Sequence, residues 1–482
     1  MKLASLLAQM SPEFPDQVTT NSLLQNVIYA SGAVGAIVLV AGLILVDLGG
    51  VRRVNVFASA AEKMIGFFIG FAVYFLIGFA IWNWQYYVAF EIESPYWQAV
   101  KDWWLGGTFA NGLAQDVDPN SMGANLNNQQ LFIFFLACFA GIINVLFHLA
   151  VTERMRAMAY FVVCAVAAVV SSVLSWLTWG SSGPLTNAGY HDFFGAGFVY
   201  LFPAGMALIF VRKIGSRPGM YHQHPKVPQF RSYNLGLTTL GVVFIISGLP
   251  MVILSCLFFF GGPDLAYGVS VTMADTSVGI AFNNLGIAWA AGALMGAILA
   301  YRTKKYIYLL LGPFAGYVSG SPAFDVYVPW QMFLVAFFAP LVAYAIYEAS
   351  QKRHWDEHKL TPLFLGAGVY GLLMVGLIDW GTAQGGYYGL DTGDFAFQNA
   401  EINVFWQAIG AAVSIGFGIV TALVLAPILE RTTGLKLDED EQVTGLDFGE
   451  WEIRHDIEPE WGPEGPVIGD QPTSPPAATP GA

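Results

Sequence analysis

Long apolar stretches separated by short polar turns dominate the chain. About eleven can be counted, at residues 22–47, 57–82, 129–151, 156–178, 193–212, 234–260, 276–301, 305–322, 329–349, 361–378 and 402–428. Each is about long enough to cross ~30 Å of hydrocarbon at ~1.5 Å per helical residue, the eighth and tenth only just. A β-barrel would instead show alternating segments of roughly ten residues. The pattern predicts an all-α membrane protein with eleven transmembrane helices and its termini on opposite sides.

Basic residues predict the orientation of these helices, because Lys and Arg concentrate in cytoplasmic loops. Nineteen of the 21 Lys and Arg residues lie beside the turns that follow odd-numbered stretches or in the C-terminal tail. Only Lys2 and Lys101 belong to the opposite side. We therefore expect a multi-pass protein of the cytoplasmic membrane with its N-terminus outside and its C-terminus in the cytoplasm.

Composition excludes several other protein classes. The 482 residues are 55% apolar and only 11% charged, whereas roughly a quarter of a soluble domain is charged. A soluble fold, a disordered chain and a nucleic-acid binder are excluded, and membrane lipid is the expected surrounding. The three cysteines, Cys138, Cys164 and Cys256, all lie within apolar stretches, so no disulfide framework or zinc site is indicated.

The two ends of the chain differ from the apolar region, residues 22–430, which we interpret as one transmembrane domain. Residues 1–21 are expected to form a polar leader, and residues 83–128 a long, aromatic-rich outer loop. Residues 431–482 carry 12 acidic and 3 basic side chains, so this cytoplasmic tail contributes most of the net charge of −13. Its Pro-rich end, 471–482, is predicted to be disordered.

Signatures of catalysis are missing from the sequence. No nucleotide-binding P-loop is present, which disfavours transport driven by ATP, and neither an enzymatic activity nor a cofactor is indicated. Six histidines, at positions 191, 222, 224, 354, 358 and 455, lie in predicted loops or the tail and are interpreted as solvated. His148 alone falls inside an apolar stretch, where packing is the simplest role.

A short repeat links the fifth and tenth stretches. Phe194–Tyr200 reads FGAGFVY, and Phe364–Tyr370 reads FLGAGVY. Five stretches separate the copies, so they would cross the membrane in opposite directions, as in an inverted 5+5 repeat followed by a C-terminal helix. Small residues also form ordinary helix–helix contacts, and simple packing remains an alternative reading of this match.

Several short motifs occur in an order that resembles the Amt/Rh ammonium transporter superfamily, over nearly all eleven stretches. They are Gly49-Gly-Val-Arg52, Thr152-Glu-Arg-Met-Arg156, Thr178-Trp-Gly180, Asp192-Phe-Phe-Gly-Ala-Gly197, Tyr233-Asn-Leu-Gly-Leu237, Phe282-Asn-Asn284, Ala315-Gly-Tyr317, Ser321-Pro-Ala323 and Gly434-Leu-Lys436. The resemblance implies a homotrimer with one pore per subunit, through which ammonium or ammonia crosses the membrane without ATP.

The resemblance also implies functions for individual residues. The outer phenylalanine that guards the pore corresponds to Phe139, and the tryptophan of the outer recruitment site lies near Trp179, one residue out of register. The acidic residue that begins the fifth helix corresponds to Asp192. In this sequence Asp192 also fits a helix N-cap ahead of Phe193, and we favour capping and electrostatic support over direct binding of the cation.

Other positions depart from the pattern of the superfamily. The inner gate phenylalanine corresponds to Val252, the hydroxyl of the recruitment site to Cys256, and the two pore histidines to Tyr200 and Tyr370. A neutral phenol, with a pKa of about 10, donates and accepts hydrogen bonds but relays protons poorly at neutral pH. We expect the two tyrosines to face each other across the pore near the midplane.

Two further interpretations remain open from the sequence. The chain could be a non-conducting ammonium sensor that signals through its tail, or a channel for another small solute, since Val252 leaves more room than phenylalanine. Gly445-Leu-Asp447 matches the tail motif of the superfamily, but Phe448-Gly-Glu450 replaces the expected continuation. Docking of a PII-type signal protein on this tail is a hypothesis that the resemblance alone supplies.

Overall fold

The fold is built almost entirely from helices. The structure, a computed structural model, describes residues 15–112, 122–180, 182–227, 229–259, 268–270, 276–384, 400–453, 461–462 and 465–466. The α-helices in this part of the chain are α1 (Pro15–Gly50), α2 (Val56–Val73), α3 (Phe79–Trp82), α4 (Trp84–Ala89), α5 (Pro95–Trp103), α6 (Met122–Val151), α7 (Ala157–Thr178), α8 (Phe202–Ile214), α9 (Leu235–Leu254), α10 (Val278–Thr303), α11 (Ile307–Gly320), α12 (Pro329–Gln351), α13 (Val369–Ile378), α14 (Val404–Arg431), α15 (Glu439–Thr444) and α16 (Leu446–Trp451).

Shorter elements connect or extend these helices. Three π-helical segments, Tyr74–Gly78, Gly197–Leu201 and Thr361–Gly368, run directly into α3, α8 and α13. The 3₁₀ turns are Arg53–Asn55, Thr186–Ala188 and Ser321–Ala323. Three antiparallel pairs join β1 (Leu257–Phe259) to β2 (Gly268–Ser270), β3 (Ala383–Gln384) to β4 (Ala400–Glu401), and β5 (Trp461–Gly462) to β6 (Gly465–Pro466). The first pair is in register at Leu257 and Ser270.

Most of the predicted apolar stretches form long apolar helices. Among the described residues, ten helical segments are long and apolar enough to cross a membrane. They are Leu23–Gly50, Arg53–Ala89, Leu126–Val151, Ala157–Thr178, Gly197–Ile214, Leu235–Leu254, Val278–Thr303, Pro329–Gln351, Thr361–Ile378 and Val404–Arg431. The eighth predicted stretch, 305–322, corresponds to the 14-residue α11, which is shorter than the others. The prediction of a helical, multi-pass membrane protein is confirmed.

The short helix α11 runs antiparallel to both α10 and α12. Its first turn approaches the end of α12, where the Tyr308 hydroxyl donates to Glu348 at 2.6 Å. At the opposite end, the amide of Asn284 in α10 donates to the carbonyl oxygens of Phe324 and Tyr327, which follow α11, at 2.9 and 2.7 Å. The chain therefore reverses direction at each end of this helix.

Small residues bring helix backbones into direct contact. A Cβ atom on Gly42 in α1 would lie 2.7 Å from the carbonyl oxygen of Gly241 in α9, and one on Gly70 in α2 would lie 2.6 Å from that of Ala140 in α6. Real Cβ atoms do not approach a carbonyl oxygen so closely. The glycines allow these helix pairs to pack at short range, where dispersion and backbone contacts supply the attraction.

The regions outside the transmembrane domain are more structured than the sequence analysis predicts. Helix α1 begins at Pro15, so part of the predicted leader is helical, whereas residues 1–14 lie outside the described residues. The predicted outer loop contains α4 and α5, joined by a hydrogen bond from the Tyr87 hydroxyl to Asp102 at 2.7 Å. The predicted disorder of residues 471–482 also concerns residues outside the described part.

The first part of the acidic tail packs on the membrane domain. The backbone N–H of Leu437 donates to the Arg154 carbonyl oxygen at 2.9 Å. In α16, the carboxylate of Asp447 accepts from the backbone N–H groups of Phe57 and Ala58 at 3.1 and 2.8 Å, and so caps the start of α2. A carboxylate at a helix N-terminus is stabilised by the helix dipole. The tail motif Gly445-Leu-Asp447 thus holds the tail against the start of α2.

Candidate functional site

Two π-helical segments meet in the centre of the protein. Tyr200 lies in the segment Gly197–Leu201, and Phe364 lies in Thr361–Gly368. Their rings are stacked, with centroids 4.8 Å apart and planes 20° from parallel. The Tyr200 hydroxyl also lies 2.7 Å from the hydroxyl of Tyr317 in α11, so each phenol has a hydrogen-bond partner. All three side chains are buried.

Tyr370 does not occupy the position that the sequence analysis predicts. It lies in α13, half-buried, and packs against the hydrophobic core, whereas the ring that meets Tyr200 belongs to Phe364. A shift of six residues places Tyr370 between one and two turns further along the helix, at a different depth. The predicted Tyr200–Tyr370 pair is therefore wrong and is replaced by Tyr200 with Phe364 and Tyr317. The match between Phe194–Tyr200 and Phe364–Tyr370, which rests on shared Gly and Ala residues, aligned Tyr200 with the wrong residue.

A large cavity extends from this centre towards the cytoplasmic loops predicted from the distribution of charge. Its volume is about 770 Å³. Around its inner end the wall is formed by aromatic and aliphatic side chains, including Tyr200, Tyr317 and Phe364. Its mouth is lined by polar and charged side chains, including Arg217 and Lys359. A concave site with an apolar wall and a few polar groups is typical of small-solute binding sites.

Phe139 and Val252, two of the predicted pore residues, line the cavity. The Phe139 ring also belongs to an aromatic layer at the end of the cavity opposite its mouth, with centroids 6.0 Å from Phe194 and 6.4 Å from Phe198. Val252 lies in the last turn of α9, and its side chain has no surface exposed to solvent. The smaller side chain leaves the cavity open where the resemblance implied a second phenylalanine.

Trp179 and Cys256 are buried next to the cavity rather than in its wall. The Trp179 indole N–H donates to the carbonyl oxygen of Phe193 at 3.2 Å, and its ring packs 5.7 Å from that of Phe198. Together with Phe139 and Phe198 it encloses a void of about 10 Å³, close to the smallest volume that holds a water molecule. Cys256 lies two residues beyond α9 and is 1% exposed.

Asp192 caps the first π segment. Its carboxylate accepts from the backbone N–H groups of Ala196 and Gly197 at 2.7 and 2.8 Å, and from the Tyr190 hydroxyl at 3.0 Å. Burial raises its pKa to about 6, although these three hydrogen bonds favour the carboxylate. The helix begins later than expected, so Asp192 caps the N–H groups four and five residues on rather than a helix that starts at Phe193.

Two acidic residues, Asp356 and Glu357, precede the other π segment. The sequence analysis missed them. The Glu357 carboxylate accepts from the backbone N–H groups of Leu360 and Thr361 at 2.7 and 2.6 Å. Asp356, eight residues before Phe364 as Asp192 is eight residues before Tyr200, accepts from the Arg217 guanidinium at 2.7 and 2.9 Å. Burial alone would raise the Asp356 pKa, but the positive charges of Arg217 and Arg154 hold it well below its ordinary value. This eight-residue spacing pairs Tyr200 with Phe364, the two rings that stack in the structure.

Two histidines interpreted as solvated or as simple packing residues make buried polar contacts. His191 is completely buried, and its Nε2 lies 2.9 Å from the carboxylate of Asp325. The interpretation of His191 as a solvated loop residue is wrong. His148 lies in a group of charged side chains where the end of α1, the start of α2 and the end of α6 meet, with Nε2 2.5 Å from Glu62 and Nδ1 2.8 Å from Lys63.

Comparisons with known proteins agree with this arrangement. Residues 26–454 match the Ammonium Transporter Family. Ammonium transporter Amt2 of Archaeoglobus fulgidus is 24% identical over 430 residues, covering 85% of this chain and 83% of Amt2. Ammonium transporter Amt1 of Methanocaldococcus jannaschii is 24% identical over 412 residues, covering 84% of this chain and 90% of the relative.

Two solved structures have a similar fold. A protein described as Sensor Amt Protein is matched with a TM-score of 0.68 at 18% identity, covering 90% of this chain and 99% of the other. Mep2 of Candida albicans is matched with a TM-score of 0.61 at 19% identity, covering 86% and 87% of the two chains. At such low identity these similarities concern the fold and leave the function to other arguments.

Proposed function

The chain belongs to the ammonium transporter family, and from this premise we propose that it moves ammonium or ammonia across the cytoplasmic membrane through a pore in each subunit. The observation that carries the proposal is the cavity of about 770 Å³ that ends at the stacked rings of Tyr200 and Phe364. The curated relatives, matched over most of their own length, are named ammonium transporters. The family provides no reason to assign an enzymatic reaction.

The proposed path crosses a fold with eleven membrane passes and an inverted repeat. Support for the eleventh pass comes from α11, since it runs antiparallel to both α10 and α12 despite its 14 residues. Support for the repeat comes from Asp192 and Asp356, which lie eight residues before Tyr200 and Phe364, the two rings that stack. With 19 of 21 basic residues on one side, the C-terminus is cytoplasmic and the N-terminus outside.

The chemistry proposed for the pore uses neutral hydrogen-bonding groups. A phenol can accept a hydrogen bond from ammonium or ammonia and can donate one to ammonia or water. Its ring face attracts a partly dehydrated cation by roughly 0.5–2 kcal/mol. We assign this role to Tyr200 and Tyr317, with Phe364 supplying a second ring face and Phe139 closing the aromatic layer. Trp179, Asp192 and Cys256 support this layer from behind.

The assembly and the partners follow from the family resemblance. We propose a homotrimer, in which exposed apolar side chains such as Phe405 and Leu423 of α14 face either lipid or a neighbouring subunit. Docking of a PII-type signal protein would use the cytoplasmic face that carries α15 and α16. The sensor interpretation has support only from a similar fold at 18% identity, so transport is the stronger conclusion.

Uptake into liposomes tests the proposed function directly. The purified full-length protein, reconstituted in proteoliposomes, should give an ammonium-dependent current or an ammonia-dependent change of internal pH that empty liposomes lack. Potassium at the same concentration serves as the control for a non-selective leak. An absence of both responses, from protein that remains folded in the same liposomes, would contradict transport and favour a sensor.

A further inference from the structure

Five titratable side chains form a continuous chain near the cytoplasmic ends of the first helices. Lys359 contacts Asp47, Asp47 contacts Lys63, Lys63 lies 2.8 Å from His148, and His148 lies 2.5 Å from Glu62. Asp47 belongs to α1, Glu62 and Lys63 to α2, and His148 to α6, whereas Lys359 precedes the second π segment. These five side chains therefore come from four separate parts of the sequence.

Burial of these groups is costly and needs an explanation. Lys63 is completely buried, Asp47 and His148 are 1% exposed, and Glu62 is 5% exposed. Removing an ion from water remains unfavourable even after the protein relaxes around it. Ionisable groups at membrane depth commonly mark ion paths or proton relays.

One end of the chain opens to the cavity. Lys359 is part of the cavity wall, and its side chain is 25% exposed. The other end is closed, because Glu62 is buried and its Oε1 has no hydrogen-bond partner among the described residues. Tyr200, at the inner end of the same cavity, cannot relay protons readily at neutral pH. The charged chain therefore offers a protein site for a proton that enters at the mouth, which the inner end of the cavity does not offer.

The hydrogen-bonding pattern determines where the protons reside at rest. A Lys ammonium group has only donors, so His148 Nδ1 accepts from Lys63 and its Nε2–H donates to Glu62. Lys63 uses its other N–H groups on Asp47 and on the Ser59 hydroxyl, which lies 2.9 Å away. In this state Lys63 is positive and the histidine is neutral, and Glu62 accepts through Oε2 and keeps Oε1 as the position for a proton.

We propose that Lys359, Asp47, Lys63, His148 and Glu62 form a proton-transfer chain that takes a proton at the mouth of the cavity and holds it on Glu62. Lys63 gives a proton to His148 Nδ1 while His148 gives its Nε2 proton to Glu62. Lys63 regains a proton from Lys359 through Asp47, and Lys359 takes one from ammonium, which leaves as ammonia. Because two donors cannot face each other, the His148 ring turns its new Nδ1–H away from the Lys63 ammonium group as Lys63 is recharged. One proton enters the group of five side chains, whose net charge rises by one.

Other charged and titratable groups face the acceptor end of the chain. The groups that face Glu62 are Tyr160 and Cys164 of α7 and Asp447 and Glu450 of α16. The His148 ring packs edge-on against Tyr160, with centroids 4.7 Å apart. A proton on Glu62 relieves its repulsion with the two carboxylates of α16, so the tail contributes to the stability of the loaded state.

Infrared spectroscopy tests the chain without any transport. A pH jump or an ammonium pulse on the full-length protein in liposomes should produce the carbonyl band of a protonated carboxyl group, and Glu62→Gln should remove it. Glu430→Gln, on the exposed cytoplasmic end of α14, is the matched control and should retain the band. A band unchanged in Glu62→Gln would overturn the proposal. If this variant does not fold, His148→Gln interrupts the chain at its centre and should also remove the band.

Ammonium is the source of the proton only if the proposed function is right. Current measurements separate the two proposals. Glu62→Gln should reduce the ammonium-induced charge movement several-fold and shift its pH profile, and Glu62→Asp should restore part of it. Equal charge movement and an unchanged pH profile in Glu62→Gln would overturn the chain while leaving transport intact. A wild-type protein that shows the pH-dependent band but no ammonium response would contradict transport and leave proton binding by Glu62 established.

Discussion

The two ends of the cavity differ in the cost of placing a charge there. At the inner end, the wall consists of Tyr200, Tyr317, Phe364 and their aliphatic neighbours. At the mouth, Arg217 and Lys359 form ion pairs with buried carboxylates. A charge at the inner end would meet only phenol groups and ring faces, whereas a charge at the mouth has opposite charges within hydrogen-bond distance. Charged groups are therefore separated from the aromatic end of the cavity.

The largest effect that this comparison predicts is a loss of folding stability when a buried ion pair at the mouth is broken. Asp356→Asn removes a buried carboxylate that accepts two hydrogen bonds from the Arg217 guanidinium. Breaking a buried pair by removing one partner costs about 3–5 kcal/mol, because the other charge stays buried. Thermal unfolding of the purified protein should show a large decrease in stability.

A matched exposed pair supplies the control for this first prediction. Asp440 lies 3.1 Å from Lys226, and both side chains are mostly exposed. Asp440→Asn should cost about 0–1 kcal/mol, as expected for surface ion pairs. Equal decreases in the two variants would contradict the contrast between buried and exposed charges.

The second prediction introduces acid–base groups at the inner end. Tyr200→His combined with Phe364→His places two imidazoles where the rings now stack, and imidazole titrates near pH 6.5. Positioned acid–base groups contribute about 10²–10⁴-fold in rate, so even a partly aligned pair should raise the ammonium current roughly tenfold. Currents in proteoliposomes measure this change.

The control for the second prediction separates the two repeat registers. Tyr200→His combined with Tyr370→His follows the register expected from the sequence, in which the second imidazole lies further along α13. This variant should not show the increase. A larger current from the Tyr370 combination than from the Phe364 combination would favour the original register.

The third prediction compares two tyrosines with different surroundings and has the smallest expected effect. Tyr200→Phe removes a hydroxyl that lies 2.7 Å from Tyr317 and in the cavity wall. A lost hydrogen bond of this kind is worth about 0.5–1.5 kcal/mol, so the rate of ammonium uptake should decrease several-fold. Tyr370→Phe changes a half-buried side chain in the core and should leave uptake unchanged. Equal uptake by both variants, in folded protein, would remove the Tyr200 hydroxyl from the transport mechanism.

The helical framework could be predicted from the sequence because it depends on local properties of the chain. Apolar stretches long enough to cross a membrane, interrupted by polar turns, leave few alternatives to membrane helices. The excess of basic residues after odd-numbered stretches gives an orientation by the same local rule. The order of the short motifs pointed to the ammonium transporter family, which residues 26–454 match.

The register of the pore could not be predicted in this way. Phe194–Tyr200 and Phe364–Tyr370 share glycine and alanine, which are common in membrane helices and carry little positional information. The stacked rings lie instead eight residues after Asp192 and eight residues after Asp356, next to the acidic groups ahead of each π segment. That spacing is present in the sequence, but the contacts that show what it means, the stacked rings and the ion pair of Asp356 with Arg217, join distant parts of the chain.

The sequence by itself determined the class of protein, its apolar helices and its family, because these follow from composition and from residues close together in the chain. Only the tertiary structure decided that Phe364, rather than Tyr370, meets Tyr200, and that Lys63 is buried between Asp47 and His148 rather than exposed beside a turn. The physical reason is distance along the chain. Asp47, Lys63, His148 and Lys359 become neighbours only when four separate segments pack together, and burial then changes what their charges can do.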